Sequence, residues 1–177
     1  MRKIIAVVLA LSALAACNEG PSVGPPAPRS VYTPPPPPPN AGGFRDSDFA
    51  WSTAPGTGQI VGQLAFRGSA ARYTCREVVL TPETPWSRAR MRMLYLSTTA
   101  TAVPVADVRA RTPNETNDYA RYARRAECNA AGRFSFGGLP DGGWYVITVA
   151  TPVGGGQPMA VMRHVVTHGD LVRVVLR

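Results

Sequence analysis

From Gly58 to Phe66 the chain alternates, with Ile60, Gly62, Leu64 and Phe66 on one side and Gln59, Val61, Gln63 and Ala65 on the other. A period of two marks a strand with one buried face. The run from Tyr73 to Thr81 continues that rhythm, setting Val78 and Leu80 opposite Glu77 and Val79. Residues 132–149, GRFSFGGLPDGGWYVITV, read as a strand, a tight turn and a strand, hence a hairpin. A second strand, turn and strand follow in QPMAVMRHVV, THGD and LVRVVLR. One further strand is expected near Phe44 to Trp51. The tally is about seven short strands separated by turn signals, the mark of a two-sheet sandwich.

The period changes once. Thr84 and Pro85 offer an N-cap followed by proline at the first helical position. Beyond them WSRARMRMLYL is rich in helix formers, and Met91, Leu94 and Tyr95 recur at helical spacing. A second short helix is expected from Asp118 to Ala126, with Tyr119, Tyr122, Ala123 and Ala126 on one side. The stretch from Ser97 to Asn117 shows no period and reads as loop. Residues 82–127 are therefore expected to form a helical insertion between strands.

The 132–149 segment resembles the repeating core of carboxypeptidase regulatory-like domains. Their pattern runs Gly-x-Phe-x-Phe, two residues, Leu-Pro-x-Gly, then Tyr and alternating aliphatics. Gly132, Phe134, Phe136, Leu139, Pro140, Gly142, Tyr145 and Ile147 match it here. The resemblance implies an all-β fold, a transthyretin-like two-sheet β-sandwich over residues 44–177. It implies almost nothing about chemistry, because fold does not dictate function. The chain departs from the pattern at Trp144 and an extra glycine, which leaves open whether Trp144 or Tyr145 points inward.

The opening residues belong to a different kind of segment. Arg2 and Lys3 precede an apolar run from Ile4 to Leu14. As a helix that run spans roughly 16 Å, too short for a hydrocarbon core about 30 Å thick. It reads as a signal peptide covering residues 1–16. Its end, Leu14-Ala15-Ala16-Cys17, resembles the bacterial lipobox, which implies acylation of Cys17 and attachment to a membrane through an N-terminal lipid. Asn18 after the cysteine, in place of Asp, implies by resemblance to enterobacterial sorting an outer-membrane address facing the periplasm. Residues 17–43 follow as a proline-rich tether with six consecutive prolines from Pro34 to Pro39. Proline fixes φ and lacks an N–H, so this stretch favours polyproline II, reaching on the order of 80 Å if fully extended.

Three cysteines are present. With Cys17 acylated in an exported protein, Cys75 and Cys128 are left to form a disulfide at the two feet of the insertion. A cysteine nucleophile at either position is the alternative.

The net charge is +8, and Lys3 is the single lysine. An exported, tethered protein meets little nucleic acid, so the expected acidic partners are envelope proteins, glycans or other anionic polymers, and lipid headgroups. The insertion is where positive charge gathers. Arg88, Arg92, Arg121, Arg124 and Arg125 form a candidate anionic-ligand patch there, interleaved with Trp86, Tyr119 and Tyr122. The alternative is a solvated outer side of two packed helices.

Catalytic signatures are missing. No His-x-x-Glu pair accompanies His164 or His168, and neither a Gly-x-Ser-x-Gly elbow nor a phosphate loop occurs. The expectation is no metal, no cofactor and no enzyme activity. Two functions remain: a lipid-anchored envelope protein whose sandwich makes protein or cell-wall contacts, and a carbohydrate-binding module. The second would need Trp86, Trp144 and Tyr145 exposed as a platform.

Overall fold

The computed structural model describes residues 43–68, 72–114 and 118–177. The expected leader, Cys17 and the proline run lie outside the described residues.

Nine strands among the described residues form two sheets. They are β1 (Gly58–Leu64), β2 (Tyr73–Thr74), β3 (Glu77–Pro82), β4 (Ala100–Pro104), β5 (Arg124–Glu127), β6 (Arg133–Leu139), β7 (Gly142–Pro152), β8 (Met159–Thr167) and β9 (Leu171–Leu176). The smaller sheet has the order β6-β1-β9, with β1 antiparallel to β6 and parallel to β9. The larger has the order β4-β8-β7-β3-β5, and β2 extends it by pairing with β7. This is the expected all-β sandwich, built from nine strands where about seven were counted.

The core lies between the sheets. Ile60, Phe134, Phe136 and Val174 from the small sheet meet Val78, Leu80, Trp144 and Val146 from the large one. Phe134 and Phe136 meet edge to face at 6.2 Å, and Leu139 closes the end of the sandwich with no exposed surface.

The expected hairpin at 132–149 is not one. β6 belongs to the small sheet and β7 to the large sheet, so the Leu-Pro-Asp-Gly turn carries the chain across the core. The physical reason is the apolar pattern itself. Paired in one sheet, the Phe and Trp–Val rows would share a face with nothing opposite them; in two sheets they face each other. Gly142, at φ 150°, makes the turn, and Trp51 packs against the space a side chain would fill. Thr167 pins the arch, donating from Oγ1 to the Pro140 carbonyl at 2.7 Å and accepting from Trp144 Nε1 at 3.0 Å. The turn at 168–170 crosses in the same way, from β8 to β9.

The larger sheet is covered on its outer side as well over the stretch around Tyr145, Ala160 and Met162. Helix α1 (Pro85–Tyr95) lies on its outer face, where Met91, Leu94 and Tyr95 cover Tyr145, Ala160 and Met162. Trp144 therefore points into the sandwich and Tyr145 points out beneath the helix, and both are fully buried. The start of α1 is as expected. Ser87 N donates to Thr84 Oγ1 at 3.0 Å and Thr84 N to Ser87 Oγ at 2.8 Å, a capping box with proline at N1.

The rest of the insertion differs from the sequence expectation. The stretch read as loop contains β4 and a second helix, α2 (Val105–Arg111). The helix expected over 118–126 is a 3-10 turn at Tyr119–Tyr122 followed by β5, which pairs antiparallel with β3. Without β5 the edge backbone of β3 would lack partners, and that requirement overrides the helix propensity of Ala and Arg. The strand expected near Phe44 is also absent. Two 3-10 turns, Asp46–Asp48 and Ala50–Thr53, take its place and bury Phe49 completely. Cys75 and Cys128 are bonded, with Cα atoms 5.8 Å apart, at the feet of the insertion.

Candidate functional site

The five arginines of the candidate patch do not form one open surface. Arg88, in the first turn of α1, pairs with Glu83 at 2.6 Å. Arg121 pairs with Asp46 and donates to the Tyr122 hydroxyl at 3.0 Å, tying the 3-10 turn to the 46–48 segment. Arg125 pairs with Glu77 across the β3–β5 ladder. Arg124 turns inward and donates to the carbonyls of Ser52 at 3.0 Å, Gly138 at 3.2 Å and Gly137 at 3.3 Å. Arg92 is exposed on α1. Arg90, outside the five, lies between two rings, 5.2 Å from Trp86 and 5.1 Å from Tyr119.

Glu83 is the charged hub of the helical side. It follows β3 directly, and a side chain at Gly143 would collide with its carboxylate, so glycine there makes room. His164 Nε2 lies 2.7 Å from Glu83 Oε2, and the Tyr145 hydroxyl donates to Oε1 at 3.4 Å. With Arg88 as well, three donors surround one carboxylate. A carboxylate so engaged is a strong cross-brace between β3, β7, β8 and α1. Burial first, then the neighbouring Glu83 charge, pushes the Tyr145 hydroxyl up to about 12. His164 is thus a member of an ion-paired cluster, and among the described residues no group of three His, Cys, Asp or Glu could hold a metal.

The aromatic platform is not formed by the three rings named for it. Trp86 is 8% exposed, and Trp144 and Tyr145 are 0% exposed. Trp86 packs edge-on against Phe44 at 5.5 Å and Phe49 at 6.0 Å, so its ring serves cohesion.

The feature that pattern reading passed over is the outer face of the small sheet. It bears a shallow concavity of about 750 Å³, rimmed by Glu127 and Asn129. Register sets its floor in two rows, Ser135–Val61–Arg173 and Arg133–Gln63–Val175. The signal was present in the sequence, in the polar positions alternating with Phe134, Phe136 and Val174. It carried no sign of function because an outward polar row is also what any solvated sheet shows.

No protein-family profile matches the chain, and no curated protein matches it. A solved structure does: a "putative carbohydrate binding protein" from Pseudomonas aeruginosa, at 20% identity and a TM-score of 0.50, spanning 75% of this chain and 96% of that one. At that identity the likeness is one of fold, and the chain shares the β-sandwich architecture of that bacterial protein.

Proposed function

We propose that this chain is a non-catalytic lipoprotein of the bacterial cell envelope. Cys17 carries the lipid, residues 17–43 act as a spacer, and a carboxypeptidase regulatory-like sandwich serves as the contact module. In this reading the anchor lies in the outer membrane, facing the periplasm. The helix-free face of the small sheet meets the partner, a cell-wall polymer or envelope protein. The observation that supports it is the division of labour between the sheets. One outer face is partly covered by helices, and the other presents Gln63, Arg133, Ser135 and Arg173 around an open hollow.

A second reading, a glycan-binding module, is favoured by the same hollow. Amide, guanidinium and hydroxyl groups in register can meet sugar hydroxyls and carboxylates, and Arg suits planar acidic groups. The description of the structural neighbour agrees with it.

Two experiments test these readings. Metabolic labelling with a fatty-acid analogue should tag the wild type and not Cys17→Ser; label on that variant would overturn the anchor. Binding to isolated cell wall and to acidic and neutral glycans should fall at least tenfold in Arg133→Ala/Arg173→Ala, with the melting temperature unchanged. Undiminished binding by that variant would remove the sheet face as the contact surface.

A further inference from the structure

The outward side of α1 and its exit carry two features that cost the fold stability. Leu96, the residue after the helix, has φ 55° and is the sole non-glycine residue with positive φ among the described residues. Glycine is the usual occupant of that position, because a Cβ is strained there. Leu96 is also 68% exposed, more than any other large apolar residue described. Met93, 42% exposed, lies one turn before it on the same side of the helix.

Positive charge surrounds this apolar pair. Arg88 and Arg92 follow one another at i and i+4 on α1, and both are exposed. Helix α2 packs beside α1 and adds Arg109, which is exposed, and Arg111, whose Nη1 donates to the Leu94 carbonyl at 3.1 Å. Two acids stand nearby, and each is engaged: Glu83 with Arg88 and His164, Asp107 with Arg111. Arg92, in the same turn as Met93, is therefore left to meet charge from outside.

We infer that Met93 and Leu96, bordered by Arg92 on α1 and by Arg111 on α2, form a docking surface for an anionic lipid layer. Two adjacent apolar side chains bordered by guanidinium groups match the boundary between acyl chains and acidic headgroups. The apolar pair enters the headgroup boundary while the arginines stay at phosphate level, where their long stems let them lie. The site is separate from the sheet face, and it faces a different kind of partner. Its setting in the cell rests on the proposed membrane tether, but the surface itself does not require acylation.

The test uses the full chain carrying Cys17→Ser and Met93→Cys, so that an environment-sensitive dye labels residue 93 alone. It is mixed with vesicles of phosphatidylcholine and phosphatidylglycerol in equal parts, or of phosphatidylcholine alone. Every variant shares residues 1–42, so any membrane affinity of that segment cancels. The expected result is a blue-shifted emission, quenched by lipid-borne quenchers, in the anionic vesicles only, with affinity falling as salt rises. Arg92→Gln should weaken binding about fivefold.

The decisive variant is Leu96→Gly. It removes the apolar group and relieves the backbone, so it should raise the melting temperature while weakening vesicle binding severalfold. A higher melting temperature with unchanged binding would overturn the proposal, because Leu96 would then be surface without a task. Equal emission on both vesicle types would overturn it too, as would binding to an acidic polymer with none to anionic vesicles.

Discussion

The Arg124 guanidinium lies 5.7 Å over the Trp144 ring while its nitrogens hold three backbone carbonyls from two separate segments. Read from the sequence it belonged to a surface patch; in the fold it staples the 50–53 turn and the end of β6 to the core. Arg124→Ala should cost about 2–3 kcal/mol, the range for losing hydrogen bonds to a charged group. Arg124→Lys should recover less than half of that, since an ammonium cannot fork across separate carbonyls. Thermal unfolding of both variants checks this; a full rescue by lysine would show that charge alone matters.

The disulfide closes the insertion, with its cysteines 53 residues apart in sequence. Constraint of the unfolded chain by a loop of that size is worth about 4 kcal/mol in the entropic treatment. Reduction should therefore lower the melting temperature by ten degrees or more. An identical melt with and without reductant would mean that the bridge contributes nothing.

Gly62 interrupts an otherwise apolar row of β1 because Phe134 and Val174 occupy its side-chain space. A Cβ there would sit 2.2 Å from Phe134 Cζ and 2.6 Å from Val174 Cγ1. Gly62→Ala should destabilise by about 1–3 kcal/mol through overpacking. Gly137→Ala, on the neighbouring strand with nothing within 4 Å, is the control and should fall within about 0.5 kcal/mol of wild type. Chemical denaturation of the pair separates crowding from the general effect of adding a methyl group.

Tyr95 is buried beneath α1, and that burial pushes its hydroxyl up to about 12, with Tyr119 adding to the rise and Arg90 opposing it. In the unfolded chain the group ionises near 10, and above that pH the unfolded state releases a proton that the folded state keeps. The stabilisation is complete below pH 10 and is lost as pH climbs to about 12, on the order of 2 kcal/mol. Tyr145 follows the same direction. Melting temperature against pH should fall over that window, and less steeply in Tyr95→Phe.

What the sequence made legible was local. The alternation around Ile60 and Leu64, the Thr84–Pro85 helix start and the Phe134–Phe136–Leu139 packing all follow from side-chain chemistry within a few residues, and all stand in the structure. What it hid was set by distant partners. β4 is a strand because β8 offers it an edge, although Ala100–Pro104 carries no alternation of its own. β5 forms for the same reason against β3. The choice between Trp144 and Tyr145 had no answer from period two, because β7 is covered on both faces and buries both rings. For the site, residue type predicted that Arg would gather on the insertion but not that Asp46, Glu77 and Glu83 would claim three of them.

The small sheet draws one strand from each of three widely separated stretches, and β9 lies parallel against β1 with Leu176 beside Leu64. Both arches hand the chain from one sheet to the other, and the second leads to a strand whose neighbour, β1, comes from far along the chain. The smaller sheet is therefore complete only once residues 171–176 have been made, and its long-range pairing is of the slow-forming kind. A ribosome-bound chain lacking that last strand leaves one edge of β1 bare and the places of Val174 and Leu176 in the core empty, so removal of those six residues should markedly destabilise the fold.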